Sequence, residues 1–396
     1  MSDIVLISLV SEQTMPNVMA VLQDDRYFKY LEFIVSADKD KPLQYDKKYD
    51  EAYQRIKVFL EKQGRIVTRQ AAVNPYDIKT TLKACQEAVD VQRKMGRKVI
   101  FNITGGTKVM ALAAYLCAQY NQAESIYVES RDRLLISVPP TGDLIEAIAK
   151  DSLESTKKSF QEERFRVIDV PSYVALYGRE VSTSIQADEL NKDQIDKAHI
   201  IAQHYSKVRN HLNSLQREIR EAYEAKTLTW PFQMKIKKLT QIEREALEHF
   251  AASDILSWNS TQHTISCEKE QRKFLNGEWI EVFTLHSLAT SGLFHDAHGK
   301  VTIKGWKGEC DVMLTANAKL AIIECKSDAK LSDQFGKIRA IQRDLGGVYA
   351  QSFFIRSGEK DDNVSEQAKF YGINRVINAD DMPRVVEIVA QHMGIQ

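Results

Sequence analysis

Two acids and a lysine near the C-terminal end of the chain stand out, because the apolar runs around them would bring them together. Asp311 begins one apolar run, and Glu324 and Lys326 end the next. Asn317-Ala318 between the runs predicts a β-hairpin with a two-residue turn, since Asn tolerates the left-handed conformation. Counting outward from that turn places Asp311 opposite Glu324. The two-residue period of a strand puts Lys326 on the same face as Glu324.

Such an arrangement needs a compensating cation. Directly opposed β-carbons lie about 4.5–5.5 Å apart, and like charges placed there are destabilising. Ile322, Ile323, Val312 and Leu314 predict strands buried on both faces, where unpaired carboxylates are rare. A divalent metal bound by oxygen ligands would supply the charge. The alternative is a solvated strand face with one ordinary ion pair. We favour the metal site.

The series Asp311, Glu324-Cys325-Lys326 resembles the Asp…(Glu)-x-Lys core of the PD-(D/E)XK nuclease superfamily. The resemblance implies Asp311, Glu324 and Lys326 as catalytic residues. It also implies Mg²⁺ or Mn²⁺ bound by Asp311, Glu324 and the backbone carbonyl of Cys325. A helix that precedes the hairpin often contributes a further acid in this superfamily. Glu281, close to the apolar face of such a helix, is the predicted third carboxylate, and Glu278 and Glu309 are its competitors.

The elements before this region alternate between strand and helix over residues 1–150. Ile4 to Val10 is a continuous apolar run, which is typical of a strand buried in a parallel sheet. Amphipathic stretches predict helices at Asp46–Gln63 and Asp77–Met95. Further strands are predicted at Leu31–Ala37, Arg65–Val73, Lys98–Ile103, Ser125–Glu129 and Leu134–Val138. This alternation predicts an α/β fold with a doubly wound, Rossmann-like sheet.

Ligands of such sheets bind beyond the carboxyl ends of the strands, commonly between the first and fourth strands. Glycines near the end of the fourth strand would let backbone approach a ligand, and the amides that open the next helix suit a phosphate. The loop is neither a Walker A loop nor G-x-G-x-x-G. The alternative is a helix cap in which the glycines serve only the turn. The candidate ligand-binding residues are Ser11, Glu12, Gln13, Thr14, Asn102, Thr104, Gly105, Gly106, Thr107 and Lys108.

The pattern Asn-x-Thr-Gly-Gly-Thr-Lys at 102–108 resembles the CARF domain of CRISPR-associated proteins. A CARF domain joined to a PD-(D/E)XK nuclease resembles the CRISPR ancillary nucleases of the Card/Can type, over nearly the whole chain. The resemblance implies a homodimer that binds a cyclic oligoadenylate, with cyclic tetra-adenylate expected, across the two N-terminal domains. It also implies a metal-dependent endonuclease of type III CRISPR defence that this messenger activates allosterically, cutting DNA or RNA as single strands or by nicking.

Two other functions compete with this one. The first is a messenger-binding regulator that binds nucleic acid without cutting it. The Asp–Glu–Lys set argues against it, because a module that does not cut has no use for three convergent charges. The second is degradation of the ligand by the N-terminal site, but no general base is evident there.

The middle segment, 151–265, is predicted to be helical. Apolar residues from Ile201 to Ala222 form a heptad stripe on a helix from Lys192 to Ala225, which would pack either against a partner's copy or on its own domain. A short helix and the strand Thr264–Cys267 then suggest a winged-helix-like unit. In residues 266–396, the hairpin, a helix at Leu331–Leu345 and a strand at Val348–Ile355 predict a restriction-endonuclease-like α/β domain.

Composition bounds these predictions. The chain has 396 residues, 43% of them hydrophobic, with 54 Lys and Arg balancing 54 Asp and Glu, so any nucleic-acid surface must be local. The apolar stretch Val109 to Cys117 is too short to span a bilayer. The N-terminus lacks a signal-peptide pattern, and the five cysteines lack C-x-x-C spacing. We therefore expect a cytoplasmic protein with reduced thiols and no membrane contact.

Overall fold

The computed structural model describes residues 3–38, 40–41, 43–130, 133–140, 156–327 and 331–395. It divides into two compact units, Met1–Glu180 and Val181–Gln396. The segment expected between the two domains is thus shared between them: residues 156–180 belong to the first unit and residues 181–265 to the second. Among the described residues, no helix has the length and apolar character needed to cross a bilayer.

The first unit is built on one twisted sheet with the order β3-β2-β1-β4-β5-β6-β7. Strands β1 to β5 pair in parallel, and β6 and β7 add antiparallel at one edge. The strands are β1 Ile4–Leu9, β2 Tyr30–Ile34, β3 Ile66–Arg69, β4 Lys98–Asn102, β5 Glu124–Glu129, β6 Leu134–Val138 and β7 Thr156–Ser159. The helices are α1 Met15–Gln23, α2 Lys47–Lys62, α3 Ile78–Lys94, α4 Lys108–Tyr120 and α5 Val170–Leu176.

This sheet confirms the doubly wound prediction and its strand positions. The carboxylates of Asp46 and Asp77 accept hydrogen bonds from the backbone N–H groups of Lys48 and Lys79, which fixes where α2 and α3 begin. Because β1 and β4 are direct neighbours in the sheet, the loops that follow them lie at the same edge.

The second unit contains a mixed sheet with the order β16-β15-β14-β13-β12-β8 and a small antiparallel sheet with the order β10-β11-β9. The strands are β8 Val181–Ile185, β9 Phe232–Lys235, β10 Ser257–Asn259, β11 Thr264–Cys267, β12 Asp296–Ile303, β13 Glu309–Ala316, β14 Lys319–Lys326, β15 Ala350–Arg356 and β16 Arg375–Ile377. The helices are α6 Lys192–Glu224, α7 Gln241–Ala252, α8 Lys269–Lys273, α9 Trp279–Thr290, α10 Leu331–Asp344, α11 Asp362–Phe370 and α12 Val385–Met393.

The β13–β14 hairpin has the predicted turn and register. Ala316 pairs with Lys319, and the pairing continues to Val312 opposite Ile323. Asn317 and Ala318 have φ of +53° and +57°, which is the left-handed pair that a two-residue type I′ turn requires. Ala pays a steric cost in this conformation. Both turn residues are buried, and the Asn317 amide donates to the Gly394 carbonyl at 3.3 Å, so tertiary contacts support the turn.

The long helix α6 packs within its own unit. The side chains of the heptad stripe, from Ile201 to Ile219, are buried in the core of that unit. The ring of Tyr205 lies 5.1 Å from that of Trp279 on α9. This favours packing on its own domain over packing against a partner. The helix α7 stands between β9 and β10 in the chain, which is the strand order of a winged-helix-like unit.

Candidate functional site

The hairpin brings Asp311, Glu324 and Lys326 together. The side chains of Asp311 and Glu324 are 8% and 3% exposed, so both carboxylates are almost completely withdrawn from water. The Lys326 ammonium lies 3.0 Å from Asp311 Oδ2 and 2.9 Å from Glu324 Oε1. The two acids therefore converge on a single cation, as the register of the hairpin predicts.

Cys325 contributes to this cluster through its backbone. Its N–H group donates to Asp311 Oδ2 at 2.6 Å and so holds that carboxylate against β14. Burial raises the pKa of the Cys325 thiol, which donates to Thr284 Oγ1 at 3.8 Å and stays protonated. The role of the Cys325 carbonyl as a metal ligand stays a prediction.

Lys337, on α10, is a member of the site that sequence reasoning missed. Its ammonium lies 3.3 Å from both carboxylate oxygens of Glu324 and donates to the backbone carbonyl of Glu309 at 2.6 Å. The only signal for it in the sequence is a helix directly after the strand, which must fold back onto the sheet. Which turn of that helix meets Glu324 is a matter of packing.

Glu281, on α9, lines a cavity of about 210 Å³ together with Asp311, Glu278 and Lys300. Burial first, and then the charge of Asp311, raise the pKa of Glu281 to about 7. Of its competitors, Glu278 lies 3.7 Å from the ammonium of Lys273. Glu278 lines the same cavity but pairs with Lys273, whereas the charge of Asp311 acts on Glu281, and this favours Glu281 as the third acid.

The acids fit a divalent metal. Burial and the nearby charge of Asp311 also raise the pKa of Glu324, against the opposing effect of Lys326 and Lys337. Two buried carboxylates thus lie side by side on the hairpin, and carboxylate oxygens are the donors that Mg²⁺ and Mn²⁺ prefer. Among the described residues, no group of three or more His, Cys, Asp or Glu side chains is already arranged around one point. Further ligands would come from backbone or water.

The N-terminal loops meet at the β1–β4 edge of the sheet. A Cβ at Gly105 would lie 2.0 Å from the Leu9 carbonyl oxygen, and Gly106 has φ of +73°. Thr107 caps α4, accepting from the Met110 N–H at 3.2 Å. The geometry of the turn requires both glycines, and the helix cap requires Thr107, whether or not a ligand binds. Evidence for ligand binding must therefore come from the exposed groups of the loop.

Three of the predicted ligand residues are used inside the fold. Asn102 is fully buried, and its side-chain oxygen Oδ1 accepts from the backbone N–H and the hydroxyl of Thr104 at 3.1 and 2.7 Å. Thr104 Oγ1 in turn accepts from the Val128 N–H at 2.8 Å. Thr14 is fully buried and donates to the Leu176 carbonyl at 3.0 Å. These contacts show that Asn102, Thr104 and Thr14 support the loops from behind, and their role as ligand contacts stays a prediction.

The remaining predicted residues present groups at the surface. Glu12, Gln13 and Lys108 are exposed, and Ser11 is half-buried and donates to the Gln13 carbonyl at 2.7 Å. Glu12 lies 3.6 Å from the ammonium of Lys48. Lys108 is the first residue of α4 and carries the positive charge of this loop.

Comparison with known families agrees with both halves of this description. Residues 5–154 match the Card1 CARF domain, and residues 268–395 match the endonuclease domain of Card1-like proteins. The fold and the sites thus define a CARF domain followed by an endonuclease domain. The chain belongs to the Card/Can type of CRISPR ancillary nucleases.

Solved structures share this fold over the whole chain. Protein VC1899 from Vibrio cholerae is 17% identical, with a TM-score of 0.70 and 98% of each chain covered. Can2 from Sulfobacillus thermosulfidooxidans, in complex with cyclic tetra-adenylate, is 18% identical, with a TM-score of 0.70 and 99% of this chain and 97% of the other covered.

A third structure, a type III CRISPR defence DNA nuclease activated by cyclic oligoadenylate, is 15% identical with a TM-score of 0.55. The match covers 90% of this chain and 46% of that one. At these identities the similarities establish the fold alone. No curated protein sequence matches the chain.

Proposed function

We propose that this protein is a metal-dependent endonuclease of type III CRISPR defence that a cyclic oligoadenylate activates. The observation that carries the proposal is the buried convergence of Asp311, Glu324 and Lys326 within a Card1-like endonuclease domain. The Card1-type CARF domain in the same chain supports the choice of activator. A regulator that binds nucleic acid without cutting would have no need to bury two carboxylates around a lysine.

In this proposal Asp311 and Glu324 hold Mg²⁺ or Mn²⁺, together with the Cys325 carbonyl, and Glu281 contributes directly or through water. A bound metal of this kind lowers the pKa of a water ligand and stabilises charge on the scissile phosphate. Lys326 neutralises charge that develops on that phosphate. Lys337 orients the Glu324 carboxylate, which it contacts through both oxygens.

The activator in this proposal is cyclic tetra-adenylate, bound at the β1–β4 edge of the CARF domain. Its phosphates would meet the Lys108 ammonium and the amide groups that open α4, where a helix N-terminus favours anions. The Can2 structure, which has the same fold, contains this ligand. The ligand activates the distant site only if it binds the cutting-competent arrangement more tightly than the resting one.

We also propose a homodimer formed through the exposed face of α4. Every fourth residue after Lys108 on this helix is apolar and exposed: Leu112, Leu116 and Tyr120 expose 51%, 44% and 83% of their surface. A continuous exposed apolar stripe is typical of an interaction surface. If a two-fold axis running roughly along α4 packs this stripe against its copy, the two helices are parallel and the two Lys108 ends lie at one shared site. A cyclic ligand with repeated phosphates would suit it.

The dimer is tested by light scattering on wild type and Leu116→Asp. Wild type should scatter as twice the 45.2 kDa monomer, and Leu116→Asp as the monomer. Val58→Asp, at a 53% exposed apolar residue on α2, is the matched control and should stay dimeric. A monomeric wild type at micromolar concentration would contradict the proposal.

Cleavage is tested with Mn²⁺ and cyclic tetra-adenylate, following plasmid nicking and labelled RNA together. Wild type should cut only with the activator, and Glu324→Ala should not cut at all. Lys108→Ala should need more activator but reach full activity at saturation, because the endonuclease site is untouched. Activator-independent cutting by wild type, or a Lys108→Ala titration that overlays wild type, would refute the gating.

A further inference from the structure

Lys300 stands in an irregular part of β12, beside the catalytic acids. Gly299 pairs with Val312 and Val301 with Cys310, so Lys300 lies opposite Asp311 across the two strands. Its φ is +50°, in the left-handed region that a lysine rarely adopts. On its other side, the pairing of β12 with β8 shifts register between Gly299 and Thr302. Irregularities of this kind re-aim a side chain and are common beside active sites.

The side chain of Lys300 lines the same cavity as Glu281 and Asp311. It is half-buried, and its charge acts on Glu281, partly opposing the rise in the pKa of that acid. The other lysines of the site are engaged: Lys326 contacts both acids, and Lys337 contacts Glu324. Within the part of the chain that the structure describes, the Lys300 ammonium forms no hydrogen bond or ion pair.

The charged residues that line the cavity indicate what Lys300 could bind. Of the described residues that line it, Glu189, Glu278, Glu281 and Asp311 are acidic, and Lys300 supplies the cationic side chain. A phosphodiester that enters such a cavity is repelled unless a cation that is not already neutralised faces it. The left-handed backbone of Lys300 lowers the stability of the fold, and such residues cluster at functional sites.

We propose that Lys300 is the residue that binds the substrate phosphate in the endonuclease site, contacting a non-bridging oxygen of the phosphodiester. This inference rests on the proposed endonuclease function and adds a residue to it. Lys337 holds Glu324 in place, and Lys326 lies between the two acids, where it acts on the charge that develops during cleavage. Lys300 instead binds the phosphate of the substrate before cleavage.

The test compares Lys300→Met, Lys300→Arg and Lys300→Gly with Lys369→Met. The Met variant removes the charge and keeps most of the apolar stem, and Arg keeps the charge. Gly removes the side chain and suits the positive φ, so it guards against misfolding of the Met variant. Lys369 is an exposed lysine on α11, outside this site, and is the matched control for charge loss.

Binding is measured by anisotropy of labelled single-stranded DNA and RNA, with cyclic tetra-adenylate and EDTA, at several salt concentrations. The Met and Gly variants should bind roughly 10- to 100-fold more weakly, the loss typical of one charge-assisted hydrogen bond. The slope of log affinity against log salt should fall by about 0.7, the value for one phosphate contact on a single strand. Lys300→Arg should keep most of the affinity, and Lys369→Met should match wild type.

Cleavage by the Met and Gly variants in Mn²⁺ should show a raised KM. If they bind and cut like Lys369→Met, the proposal is wrong. It is also wrong if they bind with the wild-type salt slope and lose only the rate, because Lys300 would then act through Glu281. If wild type binds but never cuts, the endonuclease function fails, and the binding measurements still decide the role of Lys300.

Discussion

Replacing Asp311 by Asn and by Ala should separate its proposed catalytic function from its contribution to the fold. The carboxylate accepts from the Cys325 N–H at 2.6 Å and from Lys326 at 3.0 Å, and it raises the pKa of both Glu281 and Glu324. Asn keeps an oxygen for the N–H group and removes the charge. Ala removes both.

The contacts of the Asp311 carboxylate set the expected change in the free energy of unfolding for each variant. In Asp311→Ala, the buried Cys325 N–H loses its acceptor, which costs about 1–3 kcal/mol. Lys326 still pairs with Glu324 at 2.9 Å, so its charge is not left alone. In Asp311→Asn, the weaker neutral hydrogen bond is offset by relief of the repulsion at Glu281 and Glu324. We expect its free energy of unfolding to stay within about 1 kcal/mol of wild type.

Tryptophan fluorescence reads out the second unit selectively, because the four tryptophans of the chain all lie in it: Trp230, Trp258, Trp279 and Trp306. In metal-free protein, Asp311→Ala should melt about 2–12 °C below Asp311→Asn, from the usual shift per kcal/mol for a domain of this size. Both variants should lose cleavage, with activator affinity unchanged.

Two results would refute this reasoning. If Asp311→Asn still cuts plasmid or RNA at a measurable fraction of the wild-type rate, Asp311 is not an essential acid. If Asp311→Ala melts together with Asp311→Asn, the Cys325 contact does not stabilise the hairpin.

Three further predictions concern the same site. EDTA should abolish cleavage, and Mn²⁺ should restore it. Mn²⁺ should also raise the melting temperature of wild type but not of Glu324→Gln. Cleavage that persists in EDTA would exclude metal dependence. The pKa of Glu281, about 7, lies above the usual 4.5, so the folded state binds the extra proton between these values. Metal-free wild type should therefore gain stability as pH falls from 8 to 5. Glu281→Gln should lose this gain when both proteins are melted in parallel. Equal pH dependence in both proteins would contradict the raised pKa of Glu281. Lys337→Met removes the cation that pairs with Glu324. The initial cleavage rate of this variant should fall by about tenfold, and the acid limb of its pH–rate profile should move to higher pH. An unchanged rate and profile would show that Lys337 does not orient Glu324.

The amino-acid sequence by itself determined the elements and one contact between them. The apolar runs around Asn317-Ala318 specify both strands of the hairpin, and the period of two carries the register from the turn to Asp311, Glu324 and Lys326. The helices α2 and α3 likewise follow from caps and periodic apolar positions. These signals are local, because each depends on residues that are neighbours along the chain or are joined by a tight turn.

Only the tertiary structure decided which side chains meet across elements that are far apart in sequence. Lys337 reaches Glu324 because α10 folds back onto β14, and Lys300 lines one cavity with Glu281 because α9 packs against β12. Asn102 was predicted to bind the ligand and is fully buried against α1, where its side-chain amide donates to Asn17 at 3.2 Å. The packing angle and rotation of one element on another depend on many side chains at once. No local pattern in the sequence encodes them.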